Sequence, residues 1–365
     1  MVSSVVLLKS MSSIFDGTEM NKIRLTILIP TYNGEEHLAQ TVDSILPQLN
    51  NQVELLLCDD GSTDSTPQLL KSLAEKYPFL AVHTYPQNLG MDKHFIRSVK
   101  NAHGAFIWVV GQDDILRPEA VIKGLEIIDK NPNLGFIYFN FSQHNHDFTK
   151  VLGTSLLDEA AVSGKVDPGL DLVFNTPKEY FSSFNRVPYF CSSKIFRTEY
   201  WDDPEIDKFS GTHFIMPAML LVNMRRHPSV VVTTPFVSGR VPDNKWQANG
   251  QSLFDVTTGY LEMWEIVSRD PRNPIPHSLY RKYKTDYLKK FFPLVRTTRH
   301  KGMRSSAEIK QRLRFIFGSG LIFYCYILPI LSASTKTLDL MSGIWGIPKR
   351  VLSNFKKWGK RSISA

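Results

Sequence analysis

A chain of 365 residues exceeds what one hydrophobic core commonly serves, so one large domain with an extension is expected. Hydrophobic residues make up 42% and aromatic residues 12%, which excludes a wholly disordered protein. The net charge of +8 is unevenly placed: residues 281–365 hold 19 Lys+Arg against 3 Asp+Glu, while the first 280 residues carry 24 basic and 32 acidic side chains.

Residues 1–22 read as a loose leader, with an apolar stretch too short to span a membrane and no basic start for a signal peptide. Leu25–Ile29 is a nearly continuous apolar run that stops at Pro30, as a buried strand does. Thr31-Tyr32-Asn33-Gly34 is loop chemistry, and from Glu35 to about Leu46 the spacing of Leu38, Val42, Ile45 and Leu46 predicts a helix. A second strand, Val53–Cys58, runs straight into Asp59-Asp60-Gly61-Ser62. Asp64 or Ser65 then caps a helix with Pro67 in its first turn. Leu80–Thr84 is a third strand, Asn88-Leu89-Gly90 a loop, about Met91–Ala102 a helix and Ala105–Val110 a fourth strand. Strand and helix alternate with short loops, the signature of a mostly parallel sheet with helices on both faces. In such sheets ligands bind at the carboxyl ends of strands, where the polar clusters here fall. Cys58, Cys191 and Cys325 lack metal-ligand spacing and read as reduced residues in or near a core, in a cytosolic setting.

The fourth strand ends in Asp113-Asp114. Adjacent carboxylates repel, so either one is protonated or a cation sits beside them. Oxygen donors without nearby Cys or His favour Mg2+ or Mn2+, which suggests a metal–diphosphate site. The competing reading is that both acids cap a helix starting near Arg117-Pro118-Glu119. Asp59-Asp60 likewise is either a ligand turn, accepting from a ribose hydroxyl or a base N–H, or a simple turn ahead of the Asp64 cap. Neither a G-x-G-x-x-G nor a G-x-x-x-x-G-K-[ST] motif is present. Phe315–Thr335 is uncharged over 21 residues and flanked by Arg312, Arg314 and Lys336, which favours an anionic membrane surface over nucleic acid as partner. Gly318, Gly320 and Pro329 interrupt it, so spanning, interfacial and buried-hairpin readings all stay open.

The order and spacing of ILIPTYNGEEHLAQTVDSIL, LLLCDDGSTDST, NLG and GAFIWVVGQDDIL, over about residues 24–140, resemble the family 2 glycosyltransferases. NLGMDKHFIRSVKNAHGAFIWVVGQDDIL and CSSKIFRTEYW (191–201) are similar to the abequosyltransferase-like branch of O-antigen sugar transferases. Residues 202–280 match loosely, and the tail not by motif. The resemblance implies an α/β GT-A domain over 23–255, with a nucleotide-binding half at about 23–140 and an acceptor half at about 141–255. A basic, apolar, membrane-associated helical region is expected over 256–365.

By the same resemblance Pro30, Tyr32 and Glu35 contact the nucleotide base and ribose, and Asp60 is the acid that binds the nucleotide. Asn88, Gly90 and Gln112 join the nucleotide-sugar set. Asp113 matches the last acid of the D-x-D metal motif and Asp114 its neighbour, giving Asp113 and Asp114 as ligands of Mg2+ or Mn2+. Gly111 stands where many members carry the first acid of that motif, which puts metal dependence in question. In GTHFIMPAML (211–220), His213 takes the position of the acidic base, so His213 and Asp114 are the catalytic candidates. Histidine suits a base, a metal ligand or a structural role at a helix start, and Asp203 and Asp207 compete as bases. His94 reads as an ordinary surface or half-buried histidine, and His144 and His146 as loop residues rather than a metal pair. Arg240, Asn244 and Trp246 gate or stack on a sugar, or else flank a turn at Pro242-Asp243.

The expected activity is transfer of a sugar, with a deoxy or dideoxy hexose as a candidate, from a nucleotide-sugar donor to a polyprenyl-diphosphate-linked oligosaccharide. That places the protein in O-antigen or other surface polysaccharide synthesis, at the cytoplasmic face of the inner membrane. The alternative is a non-catalytic sugar-nucleotide or glycan-binding protein of the same fold. A soluble nucleotidyltransferase leaves the basic tail unexplained and lacks its Gly-rich loop.

Overall fold

The computed structural model describes residues 22–153, 169–184, 190–201, 206–241, 249–272 and 277–344. The described residues fall into two compact units. The first holds those up to Val241 with Met263–Arg281, and the second those from Asn249 to Glu262 and from Lys282 onward.

The first unit is built on one sheet, ordered β3-β2-β1-β4-β9-β6-β10-β5. Its strands are β1 (Leu25–Thr31), β2 (Val53–Asp59), β3 (Ala81–Thr84), β4 (Phe106–Val109), β5 (Ile115–Leu116), β6 (Phe136–His144), β9 (Lys194–Arg197) and β10 (Ser229–Arg240). Two short strands lie off this path: β7 (Val151–Gly153) pairs with β6 and β8 (Asp171–Phe174) with β10. β1, β2, β3 and β4 pair in parallel, as the alternation of strand and helix implies. The sheet as a whole is mixed, which corrects the expectation of a mostly parallel one. β9 lies antiparallel between β4 and β6, and β5 and β8 run antiparallel to β10.

β1, β2 and β4 are continuous apolar runs because both of their faces are covered, and Leu28, Leu56 and Trp108 have no exposed surface. Trp108 stacks on Phe139 at 4.7 Å between centroids and donates its indole N–H to Ser192 O at 2.7 Å, tying β4 to the turn before β9. Connecting helices are α1 (Leu38–Ile45), α2 (Thr66–Lys76), α3 (Met91–Val99), α4 (Ala120–Lys130), α5 (Pro177–Ser183) and α6 (Ile215–Met224). α6 is buried along its whole length, as its uninterrupted apolar sequence IMPAMLLVNM requires.

The second unit is helical. α7 (Gly250–Arg269) starts in it, followed by α8 (His277–His300), α9 (Ala307–Phe317), α10 (Leu328–Ser332) and α11 (Thr335–Ile344). Arg312 on α9 bonds Asp255 at 3.1 Å and Glu262 at 2.8 Å on α7, and Asp339 on α11 receives Arg296 and His300 from α8. The uncharged run from Phe315 is broken by its own residues. α9 stops at Gly318, whose φ of +73° suits glycine, and the chain resumes through a π-helical turn, Phe323–Ile327, ahead of Pro329. Phe323, Ile327, Ile330 and Leu331 are buried, whereas Cys325 is exposed rather than in the core. No helix among the described residues is long and apolar enough to cross a membrane.

Candidate active site

The carboxyl ends of β1, β2 and β4 lie side by side, and their loops are laced together by short polar side chains. Asn33 N donates to Ser62 Oγ at 2.8 Å, Gly34 N to Thr66 Oγ1 at 2.8 Å, and Thr63 N to Asn33 Oδ1 at 2.9 Å. Asn33 holds a φ of +51°, a conformation asparagine tolerates better than most residues. Gln112 closes the β4 end onto the β1 end: its Oε1 accepts from Tyr32 N at 2.9 Å and its Nε2 donates to Tyr32 O at 3.1 Å. Pro30 lies within β1, and the Tyr32 side chain is 43% exposed beside this pair. Glu35 faces the other way, with Oε2 accepting from Ser65 N at 2.8 Å at the start of α2. There it works with Asp64, which accepts from Thr66 N at 3.0 Å.

Asp60 is buried and heavily engaged. Its carboxylate accepts from Leu89 N at 3.2 Å, Gly90 N at 3.1 Å and the Arg97 guanidinium, which also lies 3.7 Å over the Tyr85 ring. Asn88 Oδ1 accepts from the same Gly90 N at 2.8 Å. Asp60 thus pins the Asn88-Leu89-Gly90 loop to the end of β2. His94 is buried against it, correcting the surface reading. Its Nε2 donates to Cys58 O at 2.9 Å, and its pKa is lowered mainly by burial, against the opposing pull of Asp60.

The two acids after β4 have different surroundings. Asp114 is buried: Ser192 Oγ donates to its Oδ2 and Arg240 N to its Oδ1 at 3.0 Å. Burial, then the neighbouring Asp113, raises its pKa well above the ordinary value. Asp113 is half-buried, and burial raises its pKa while His37 and Arg240 oppose the shift. Arg240 holds the corner, donating to Asp113 O at 3.1 Å and Gln40 Oε1 at 2.7 Å, with Phe148 under its guanidinium at 4.5 Å. Neither acid caps a helix; α4 begins after Glu119 without a side-chain cap. A Cβ at Gly111 would sit 2.8 Å from Asp114 Oδ2 and 3.1 Å from Asp113 Oδ1, so a side chain there would have to displace the two carboxyl ends.

Residues 26–193 match the family model described as Glycosyl transferase family 2. The chain carries a family 2 glycosyltransferase domain. Over 100 residues it is 33% identical to abequosyltransferase RfbV of Salmonella typhimurium, covering 27% of this chain and 30% of that protein. Over 133 residues it is 31% identical to hyaluronan synthase of Pasteurella multocida, covering 36% of this chain and 14% of that one. The matches thus span about a third or less of these relatives. S. aureus TarS 1–349, solved in complex with UDP-GlcNAc, superposes with a TM-score of 0.56 at 14% identity, covering 80% of this chain and 81% of that one. At that identity the likeness shows a shared fold: the glycosyltransferase domain is α/β, GT-A-like, with a mixed sheet.

Within this glycosyltransferase domain, the donor set suits a hard divalent cation at one position. Among the described residues no side chain donates to the Asp113 carboxylate, so it is the acid able to take an oxygen-seeking ion, with Asp114 behind it held by Ser192 and Arg240. His213 is exposed two residues before α6, with a φ of +65°. Asp92, at the start of α3, accepts from both Gly211 N and His213 N at 2.8 Å, which docks the His213 turn onto the helix that follows the Asp60–Gly90 loop. Asp207 is exposed in the preceding turn, while Asp203, Asn244 and Trp246 lie outside the described residues. His144 ends β6 and bonds Ser142 at 2.8 Å, and His146 lies in the turn before β7. Reading the sequence missed Arg97, Asp92 and Ser192. Arg97 shares a helix face with His94 three residues earlier, a signal the spacing did carry. Ser192 and Asp92 bond groups far away in sequence, and nothing local marks them.

Proposed function

We propose that this domain transfers a sugar from a nucleotide-sugar donor to a hydroxyl of a lipid-linked oligosaccharide, in O-antigen or related surface polysaccharide synthesis. The carrying observation is Asp113: a half-buried carboxylate whose pKa burial raises, at the carboxyl end of β4, which Gln112 ties to Tyr32 at the end of β1, with the Asp60–Gly90 loop at the end of β2 beyond it. The reading gains support from TarS, of the same fold, solved with UDP-GlcNAc, and from the sugar-polymer enzymes among the relatives. Tyr32 and the loop pinned by Asp60 offer a rim for the base and ribose. Arg240 offers a fixed positive charge beside Asp113. A divalent cation, Mg2+ or Mn2+, held by Asp113 with Asp114 behind it, would supply Lewis-acid stabilisation of the departing diphosphate. His213 stands as the candidate base for the acceptor hydroxyl, held in place through Asp92. The basic C-terminal region would place the protein on the anionic cytoplasmic face of the inner membrane, where a lipid diphosphate acceptor resides.

The test is turnover of a panel of uridine-, guanosine-, cytidine- and thymidine-diphosphate sugars, with and without Mn2+. Asp113→Ala should reduce kcat with the accepted donor by at least about 100-fold, the scale of removing one group that meets transition-state charge. A folded wild-type protein that binds a nucleotide sugar but never turns it over would move the assignment to a binding protein.

A further inference from the structure

We propose that Glu36, His37 and His146 form a second divalent-cation site, one of the Zn2+ class, beside the Asp113 corner. His146 Nε2 lies 2.7 Å from Glu36 Oε1, and His37 Nε2 lies 3.7 Å from Glu36 Oε2. All three donors fall within 4.8 Å of one another, and the two imidazoles meet edge to face with centroids 4.8 Å apart. Tetrahedral zinc with ligands at about 2.0–2.1 Å places donor atoms about 3.3–3.4 Å apart. To close on an ion the cluster therefore needs its 2.7 Å contact to open by about 0.6 Å and its widest separation, at most 4.8 Å, to shorten by up to about 1.5 Å.

Both supports are held by hydrogen bonds of their own. His37 occupies the N-cap position of α1, its own N–H bonded to Gly34 O at 3.2 Å. His146 rides on a tight turn in which Asn145 bonds Asp147 at 2.7 Å, Thr149 at 3.0 Å and the N–H of Lys150 at 2.8 Å. These two segments are 110 residues apart in sequence, yet both turn an Nε2 toward one carboxylate. An exposed His–Glu ion pair would account for one such contact. It does not account for a second imidazole presented to the same carboxylate. Two imidazoles and one carboxylate suit Zn2+, Co2+ or Ni2+, and differ from the oxygen-only set at Asp113.

The experiment is a Zn2+ titration of the metal-free full chain, followed by calorimetry and by thermal unfolding, with Co2+ as a spectroscopic substitute. The expected result is one equivalent bound, a Zn2+-dependent rise in Tm and a visible Co2+ spectrum of tetrahedral N/O type. His146→Ala, on an exposed turn where folding is not at stake, should weaken that equivalent by at least about tenfold and remove the Tm response. Glu36→Gln and His37→Ala should do the same, whereas Asp113→Asn should leave it intact. No bound Zn2+, or binding that survives His146→Ala, overturns the proposal. Because the readout is binding, that result is independent of whether the domain turns over a nucleotide sugar.

Discussion

Asp114 accepts two hydrogen bonds and still has a pKa well above the usual carboxylate range, because it is buried and shares its corner with Asp113. A carboxyl whose folded pKa is raised favours folding only while it is protonated. Its contribution is full below the ordinary 3.8 and is lost as pH rises through the elevated folded value. Asp113 acts in the same direction. In metal-free buffer the wild type should therefore lose stability as pH rises from 3.8 through the elevated folded values of these two acids. Asp114→Asn keeps an acceptor for Arg240 N and supplies a donor to Ser192 Oγ. It should flatten that pH dependence, so that the variant gains on the wild type as pH rises, which urea unfolding across the same pH range would read. The same change should lower turnover, since it removes a carboxylate oxygen that a cation held by Asp113 would have behind it.

At the scale of elements, α3 and the turn before α6 are joined through a single side chain. Asp92→Ala removes the acceptor of two backbone N–H groups, Gly211 and His213, near a buried position. Leaving such donors unpaired should cost about 1–3 kcal/mol in urea unfolding. Because the turn holding His213 is then released, kcat should fall more than the donor KM rises, and an unchanged kcat would remove His213 from the proposed mechanism. Much of the first half of this architecture was legible in the residues. β1, β2 and β4 begin and end within one or two residues of the apolar runs that announce them, since a strand covered on both faces tolerates little polarity. The clustering of polar residues after those runs located the corner where Tyr32, Asp60, Gln112 and Asp113 gather. The antiparallel seat of β9 was not legible, because KIFR is too short to declare its neighbours, and pairing is decided by β4 and β6 far away. The engagement of Asp60 with Leu89, Gly90 and Arg97 was hidden for the same reason: it is fixed by where a loop lands, not by local spacing.

For the whole molecule, the charge imbalance is the property with the longest reach. The +16 balance of residues 281–365, implied by 19 basic and 3 acidic side chains, predicts adsorption to anionic vesicles. The full chain should co-sediment with phosphatidylglycerol vesicles at about 0.1 M salt, where the Debye length is about 10 Å, and be released near 1 M, where it is about 3 Å. Retention at high salt would point instead to apolar insertion, and indifference to lipid charge would remove the membrane from the proposed setting. The sheet order carries a further consequence, for biosynthesis. β4 leaves the ribosome with one edge bare, and its neighbour β9 follows about 85 residues later, on the order of ten seconds at ordinary elongation rates. Asp114 waits for two partners, Ser192 at 78 positions downstream and Arg240 at 126. The acid corner is therefore translated early and completed among the last pieces of its unit, so a nascent chain stalled between these points would expose both an unpaired strand and an unneutralised pair of carboxylates to whatever chaperone reaches it first.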